Sequence, residues 1–86
     1  MFEVILTHEA LRTYQRAAIP LARKLNRCFD VLSRSPYSNS QSKRLSGTLR
    51  GLWRYRIGDW RVIYRPDSNT RRVIIVSICP RGGAYK

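Results

Sequence analysis

The sequence predicts an α+β domain in which two N-terminal helices pack on one face of a mostly antiparallel, four-stranded sheet, in the order β-α-α-β-β-β. Apolar residues recur at helical spacing in the N-terminal half of the chain. In the C-terminal half, two alternating runs flank Gly58-Asp59, and a third run is apolar at both parities, as in a strand buried on both sides. The chain has 86 residues, so residues 1–86 are expected to form a single domain.

The first three elements are a strand and two helices. Residues 2–7 are mostly β-favouring, and Thr7 suits the cap of a first helix over about residues 8–18. Pro20 cannot continue that helix but fits the first turn of a second helix, over about residues 20–34. Several cations of the second helix lie away from its apolar stripe: Arg23, Lys24, Arg27 and Arg34. They either form a solvated face or meet RNA or an acidic partner, and the sequence leaves these alternatives open.

The segment before the hairpin is predicted to be a loop. Residues 35–51 are rich in Ser, Asn, Gly and Pro, which favour irregular structure. A loop of this length in a small domain is more often functional than idle, and its cations are Lys43, Arg44 and Arg50. After the hairpin, residues 66–70 form a turn. Residues 72–79 are predicted to form a central strand, which pairs with the hairpin on one side and with the first strand on the other.

A β-hairpin over residues 53–64 is the centre of the predicted sheet. Gly58 at the first central position suits a two-residue type II′ turn. This turn places Arg56 opposite Arg61, and opposed residues share one face of a sheet. One face is therefore a core face formed by Trp53, Tyr55, Ile57, Trp60, Val62 and Tyr64. The other face carries Arg54, Arg56, Arg61, Ile63 and Arg65.

The arginines of the second face are predicted to bind a polyanion. Arg56 and Arg61 stand directly opposite each other, with Arg54 diagonal to Arg61, and like charges so placed destabilise a sheet. No acid lies between Asp30 and Asp59, and the formal net charge is +12. This balance favours nucleic acid, an acidic protein or an anionic membrane surface as the partner. No apolar run reaches the ~20 residues of a spanning helix, which argues against a membrane. The alternative to a binding site is a solvated polar face.

Metal and disulfide chemistry is not predicted. Cys28 and Cys79 each lie within an apolar pattern, so both are expected to be buried, small hydrophobic residues. His8 is the single histidine and there is no Cys-x-x-Cys pair, so no metal site and no cofactor are expected. These features indicate a reduced, cytoplasmic protein.

Three stretches of the chain match a known pattern in order. They are the approach from Leu45-Ser46-Gly47 to Gly51-Leu52-Trp53, the hairpin Arg54-x-Arg56-x-Gly58-Asp59-x-Arg61-Val62-Ile63-Tyr64, and the terminal Arg81-x-x-x-Tyr85. Together with the order of elements, they make essentially the whole chain resemble the RelE/ParE superfamily of bacterial type II toxins, in its RelE-like branch. The resemblance implies a toxin that enters the ribosomal A site and cuts the bound mRNA. It also implies an acidic, RelB-like antitoxin that wraps the toxin and, with it, binds operator DNA.

The resemblance also implies a set of catalytic residues, carried over by position: Arg54, Arg56, Arg61, Arg81 and Tyr85. Metal-independent cleavage uses the neighbouring 2′-OH as nucleophile, so the protein must hold the phosphate in line and stabilise added charge. Arg61 and Arg81 suit the phosphate, and Tyr85 suits a base or the 2′-OH. Some relatives carry lysines where this chain has Arg54 and Arg56, and arginine does not lose its proton, so no general base is assigned. Further cations expected to bind RNA are Lys43, Arg44, Arg50 and Arg65.

Two other functions remain open from the sequence. A ParE-type toxin inhibits DNA gyrase without nuclease activity, and the predicted fold and basic charge fit it equally well. The spacing of Arg81 and Tyr85 favours the nuclease. A non-catalytic RNA-binding module would use the same basic face.

Overall fold

The structure is a computed structural model that describes residues 1–80, so the predicted site residues Arg81 and Tyr85 lie outside the described residues. Its elements are β1 (Glu3–Leu6), α1 (His8–Arg16), α2 (Ile19–Arg34), β2 (Ser42–Arg44), a 3₁₀ turn (Gly47–Leu49), β3 (Trp53–Ile57), β4 (Trp60–Asp67) and β5 (Arg72–Pro80). The strands form one sheet in the order β1-β5-β4-β3-β2. β1 runs parallel to β5, and the other neighbouring pairs are antiparallel. The predicted α+β class with a mostly antiparallel sheet is therefore confirmed.

The first helix begins where the sequence predicts it. Thr7 is extended, and its side-chain oxygen accepts a hydrogen bond from the Ala10 N–H at 3.2 Å, which is the N-cap contact. The same hydroxyl donates to the Val76 carbonyl of β5 at 2.9 Å, so the start of α1 is fixed against the sheet. α2 begins at Ile19 with Pro20 in its first turn, where the missing N–H removes no helical hydrogen bond.

A single apolar core lies between the two helices and one face of the sheet. The helices contribute Ala10, Leu25, Cys28 and Leu32, each 0% exposed. The sheet contributes Tyr55, Ile57, Val62, Tyr64, Val73, Ile75 and Ile78, with Trp53 and Trp60 packed against them. All six residues of the predicted core face belong to this core or pack against it. Since both described helices cover this face, the opposite face of the sheet is left open by them.

Both cysteines are buried, as predicted, and they do not form a disulfide with each other. Cys28 lies in the core, where burial raises the pKa of its thiol. A thiol kept protonated in this way is a poor nucleophile, so Cys28 is a packing residue.

The hairpin has the predicted register. Trp53 pairs with Tyr64, and Arg56 pairs with Arg61. Gly58 has a φ of 51°, and Asp59 is not among the residues with positive φ, which agrees with a type II′ turn. Arg56 and Arg61 are therefore directly opposed on the face away from the core.

The prediction of a loop over residues 35–51 is wrong in part, and the sheet has five strands where four were expected. β2 lies within this segment and pairs antiparallel with Trp53–Tyr55 of β3. It has three residues, Ser-Lys-Arg, too few and too polar for an alternating pattern to appear. A short, charged strand of this kind is typical of a sheet edge and forms because its neighbour supplies the pairing.

Tyr64 ties this segment to the core. Its hydroxyl donates to the buried Pro36 carbonyl at 2.7 Å and hydrogen-bonds with the Ser42 hydroxyl of β2 at 2.8 Å. Burial raises the pKa of Tyr64 to about 12, so the hydroxyl stays protonated as a donor at neutral pH.

Replacing Tyr64 with phenylalanine is expected to lower the free energy of unfolding by about 1–3 kcal/mol, because the buried Pro36 carbonyl loses its donor. Urea unfolding measures the change. Tyr37→Phe is the matched control, since the Tyr37 hydroxyl bonds to Ser68 in an exposed pair, and it is expected to cost much less. Equal stability of the two variants would contradict this role of Tyr64.

Candidate nucleic-acid interface

The sheet face opposite the core carries a cluster of cations. Strand pairing and alternation place five of them near one another on this face: Lys43 of β2, Arg54 and Arg56 of β3, and Arg61 and Arg65 of β4. We name these five residues the arginine face. Neither described helix covers it, because both pack against the other side of the sheet. Arg72 stands on the same side as the arginine face, at the far end of β5, where it pairs with Glu3.

The arginine face is organised as two rows that cross the strands. One row runs through Arg56, Arg61 and Cys79. The next row runs through Lys43, Arg54, Ile63 and Ser77. Directly opposed residues on adjacent strands have their Cβ atoms about 4.5–5.5 Å apart. Four cations therefore lie within reach of one short stretch of polynucleotide backbone.

No acid among residues 1–80 forms an ion pair with Lys43, Arg54, Arg56 or Arg65. The ion pairs within residues 1–80 join Arg34 to Asp30 and Arg72 to Glu3, and neither pair belongs to the arginine face. In the same part of the chain, several side chains of the face make no hydrogen bond or ion pair: Lys43, Arg54, Arg56 and Arg65. Clustered, unpaired cations repel one another and create a positive potential that attracts a polyanion.

Arg61 is less exposed than Lys43, Arg56 and Arg65, and Arg54 is half-buried as well. Arg61 lies on β4 between Arg56 and Cys79, it is half-buried, and its Nε atom is buried. Burial of the inner part of the side chain restricts where the guanidinium can point. A guanidinium held in one place presents a fork of donors that matches two phosphate oxygens. Among residues 1–80, Arg61 is therefore the best candidate for a fixed phosphate ligand.

A β-bulge adjoins the arginine face and brings an acid to its rim. Ile63 pairs with Ser77, but the next residue of β4, Tyr64, pairs with Ile75, so Val76 is the extra residue of β5. The Ser77 hydroxyl donates to Glu9 Oε2 of α1 at 3.1 Å. No sequence pattern predicts this contact, because it depends on how α1 docks beside β5. Glu9 stands at the end of the second row, with Ser77 and Ile63 between it and Arg54.

The other predicted RNA-binding residues do not join the arginine face. Arg44 pairs with Trp53 and so lies on the side of β2 that corresponds to the core face, where it is exposed. Arg50 is exposed at the end of the 3₁₀ turn, outside the sheet. Their roles stay predictions, as do those of Arg81 and Tyr85, which lie outside the described residues.

The arrangement can bind a phosphate and stabilise negative charge. No Asp, Glu or His lies within the two rows of the arginine face among residues 1–80. Arginine keeps its proton in proteins, so the described part of the face offers charge and hydrogen-bond donors, and it does not offer a proton acceptor.

The described residues show neither a metal cluster nor a membrane span. Within residues 1–80, no group of three or more His, Cys, Asp and Glu side chains is placed to hold a metal ion. No helix in this part of the structure is long and apolar enough to cross a bilayer.

Comparisons with known proteins agree with the fold. The family described as "ParE toxin of type II toxin-antitoxin system, parDE" matches residues 4–85. A chain of the toxin-antitoxin complex RelBE2 from Mycobacterium tuberculosis is 26% identical, with a TM-score of 0.81 over 93% of this chain and 98% of that chain. A chain of the archaeal RelE-RelB complex from Pyrococcus horikoshii is 27% identical, with a TM-score of 0.81 over 96% and 98%.

More distant similarity supports the fold alone. The YoeB/ParE toxin from Agrobacterium tumefaciens is 20% identical, with a TM-score of 0.82 over 93% of this chain and 99% of that chain. A search of curated proteins found no match. The family match spans nearly the whole chain. The chain therefore belongs to the ParE toxin family, whose members are toxins of type II toxin–antitoxin systems within the RelE/ParE superfamily.

Proposed function

We propose that this toxin is a ribosome-dependent mRNA endonuclease that inhibits translation in the cytoplasm. The observation that carries the proposal is the arginine face, two rows of cations on the sheet face that neither described helix covers, with no carboxylate among them in residues 1–80. A polynucleotide offers a run of phosphates that can neutralise such a cluster and release counterions. A sheet gains no stability from opposing Arg56 to Arg61, so binding is the physical role that fits their placement.

The proposed reaction is attack by a ribose 2′-OH on the adjacent phosphodiester. The bond from O2′ to phosphorus forms and the bond from phosphorus to O5′ breaks, which leaves a 2′,3′-cyclic phosphate and a 5′-OH. Arg61 holds the phosphate oxygens in line, and Arg54 and Arg56 stabilise the charge added in the transition state. Arg81 and Tyr85 are proposed from the resemblance alone, as a second phosphate ligand and as a residue that stacks on a base or positions the 2′-OH.

The toxin is further proposed to bind an acidic antitoxin, with operator DNA contacted only through that complex. Two of the similar structures are named as complexes with an antitoxin, RelBE2 and RelE-RelB. The net charge of +12 on this chain is complementary to an acidic partner. Such a partner would also relieve the mutual repulsion of the arginine face.

Primer-extension mapping of a defined mRNA in a translating bacterial extract tests the nuclease. The toxin is expected to produce new cuts within the translated part of the message. A matched message without a start codon, which ribosomes do not translate, is expected to stay intact. Translation that stalls without new 5′ ends would instead indicate a non-catalytic RNA-binding module, and would overturn the proposal.

A second candidate function is inhibition of DNA gyrase. The specific observation in its favour is the match to the family named for the ParE toxin. It predicts that stoichiometric toxin stops supercoiling of relaxed plasmid by purified gyrase, whereas the nuclease predicts normal supercoiling at the same ratio. The two assays on one preparation separate the functions.

A further inference from the structure

A second cationic site lies where the sheet edge meets α2. β2 pairs only with Trp53–Tyr55, so on that side the following residues of β3, Arg56 and Ile57, have no strand beside them within the described chain. The Arg56 N–H donates there to the Gln41 carbonyl at 3.1 Å. Beside this stretch is a pocket of about 290 Å³, lined by Lys24, Arg27, Gln41, Tyr55, Arg56, Ile57 and Gly58. We name it the edge pocket. Lys24 and Arg27 come from α2 with a spacing of three, so they share one helix face.

The polar side chains of the edge pocket can all donate hydrogen bonds, and no carboxylate lines it. Within residues 1–80, no hydrogen bond or ion pair occupies the side chains of Lys24, Arg27, Gln41, Tyr55 and Arg56. Tyr55 is only 7% exposed, and burial raises the pKa of its hydroxyl, so the hydroxyl remains protonated at neutral pH. Asp59 lines the neighbouring pocket with Lys24 and does not line this one.

We propose that the edge pocket binds a backbone phosphate of RNA, as a continuation of the arginine face around the edge of the sheet. The inference rests on the proposed RNA-directed function. Arg56 belongs to both sites, because it pairs with Arg61 on the arginine face and also lines the pocket. A strand of RNA that lies on the arginine face therefore meets the edge pocket next. Two guanidinium groups, an ammonium and a phenol match the oxygens of a phosphate better than the two oxygens of one carboxylate.

The test compares two double variants that lose the same charge. Lys24→Gln/Arg27→Gln removes the two cations of the edge pocket that do not belong to the arginine face. Arg12→Gln/Arg23→Gln removes two exposed helix cations that lie outside the edge pocket and the arginine face. The probe is a short, fluorescein-labelled, unstructured single-stranded RNA. Its affinity is measured by fluorescence anisotropy over a series of salt concentrations, after circular dichroism has shown that both variants are folded.

The pocket variant is expected to reduce the slope of log affinity against log salt by about 0.7, the contribution of one lost phosphate contact on a single strand. The control variant is expected to keep the wild-type slope. Equal slopes for the two variants would overturn the proposal. A parallel titration with poly-L-glutamate tests whether the pocket binds an acidic protein instead. If the pocket variant loses affinity for poly-L-glutamate and not for RNA, the proposal is also overturned.

This outcome is independent of the test of the nuclease, because the titration reads binding and primer extension reads cutting. A toxin that cuts mRNA while both double variants bind RNA alike would leave the proposed function intact and remove the edge pocket. If the toxin cuts no mRNA and only the pocket variant has a reduced salt dependence of RNA binding, the edge pocket is supported and the proposed nuclease function is overturned.

Discussion

Replacing Arg61 with glutamine is expected to slow ribosome-dependent cutting of mRNA by about 10²–10³-fold, the usual cost of removing one fixed donor to a charged transition state. Arg61 lies in an interior strand, and its Nε atom is buried. Its guanidinium is therefore held more firmly than the exposed cationic groups of Lys43, Arg56 and Arg65. Glutamine keeps part of the aliphatic side chain but removes the positive charge and the paired N–H donors. A slower cutting rate therefore measures the contribution of the guanidinium group. The measurement is the single-turnover rate of cutting on mRNA-programmed ribosomes.

Arg72→Gln is the matched control for this prediction. Arg72 lies on the same side of the sheet but at the start of β5, away from the two rows, and it forms an exposed ion pair with Glu3 at 3.6 Å. An exposed pair of this kind contributes little stability, so the variant is expected to cut at close to the wild-type rate. Arg61→Lys retains the charge without the fork and is expected to fall between the two. If Arg61→Gln and Arg72→Gln cut equally fast while both are folded, Arg61 is not a phosphate ligand.

Leu25→Ala is expected to lower the free energy of unfolding by about 2–5 kcal/mol, through lost apolar burial and the cavity left behind. Leu25 is 0% exposed and stands in α2 against the sheet. Domains are stable by only about 5–15 kcal/mol in total, and a short chain lies toward the low end. The variant therefore removes a large part of the stability, and urea unfolding with a far-ultraviolet circular dichroism signal measures it.

Leu11→Ala supplies the comparison for Leu25. Leu11 is 40% exposed on α1, so its truncation is expected to change the free energy of unfolding by less than about 0.5 kcal/mol. A loss as large at Leu11 as at Leu25 would show that the core between the helices and the sheet has been assigned to the wrong residues.

The hairpin was predictable from sequence because two local rules agree on it. Gly58 admits the positive φ of the turn, and the turn length then fixes every pairing from Trp53–Tyr64 to Ile57–Trp60. One register sends six apolar and aromatic residues to one face, and a slip of one residue would expose them. The arginine cluster at Arg54, Arg56 and Arg61 follows from the same register, without tertiary information.

Features that depend on tertiary packing were not predictable. β2 has no pattern of its own and exists because β3 is beside it. The contact between Glu9 and Ser77 requires both the docking of α1 and the bulge at Val76. The sequence does not distinguish the four cations on the polar side of α2. In the structure, Lys24 and Arg27 line the edge pocket, and Arg34 forms an ion pair with Asp30. Periodicity identifies the apolar face of a helix, but it does not predict which part of the protein lies next to the polar face.

The central claim is that the arginine face supports attack by a 2′-OH on an mRNA held in the ribosome. The most direct measurement uses purified ribosomes programmed with a synthetic mRNA, in which the nucleotide 5′ to the mapped cut carries either ribose or 2′-deoxyribose. Cutting is expected with ribose, with a 2′,3′-cyclic phosphate on the product, and it is expected to vanish with 2′-deoxyribose. Cutting that continues at the deoxy position, or that proceeds equally on the same RNA without ribosomes, would contradict the claim.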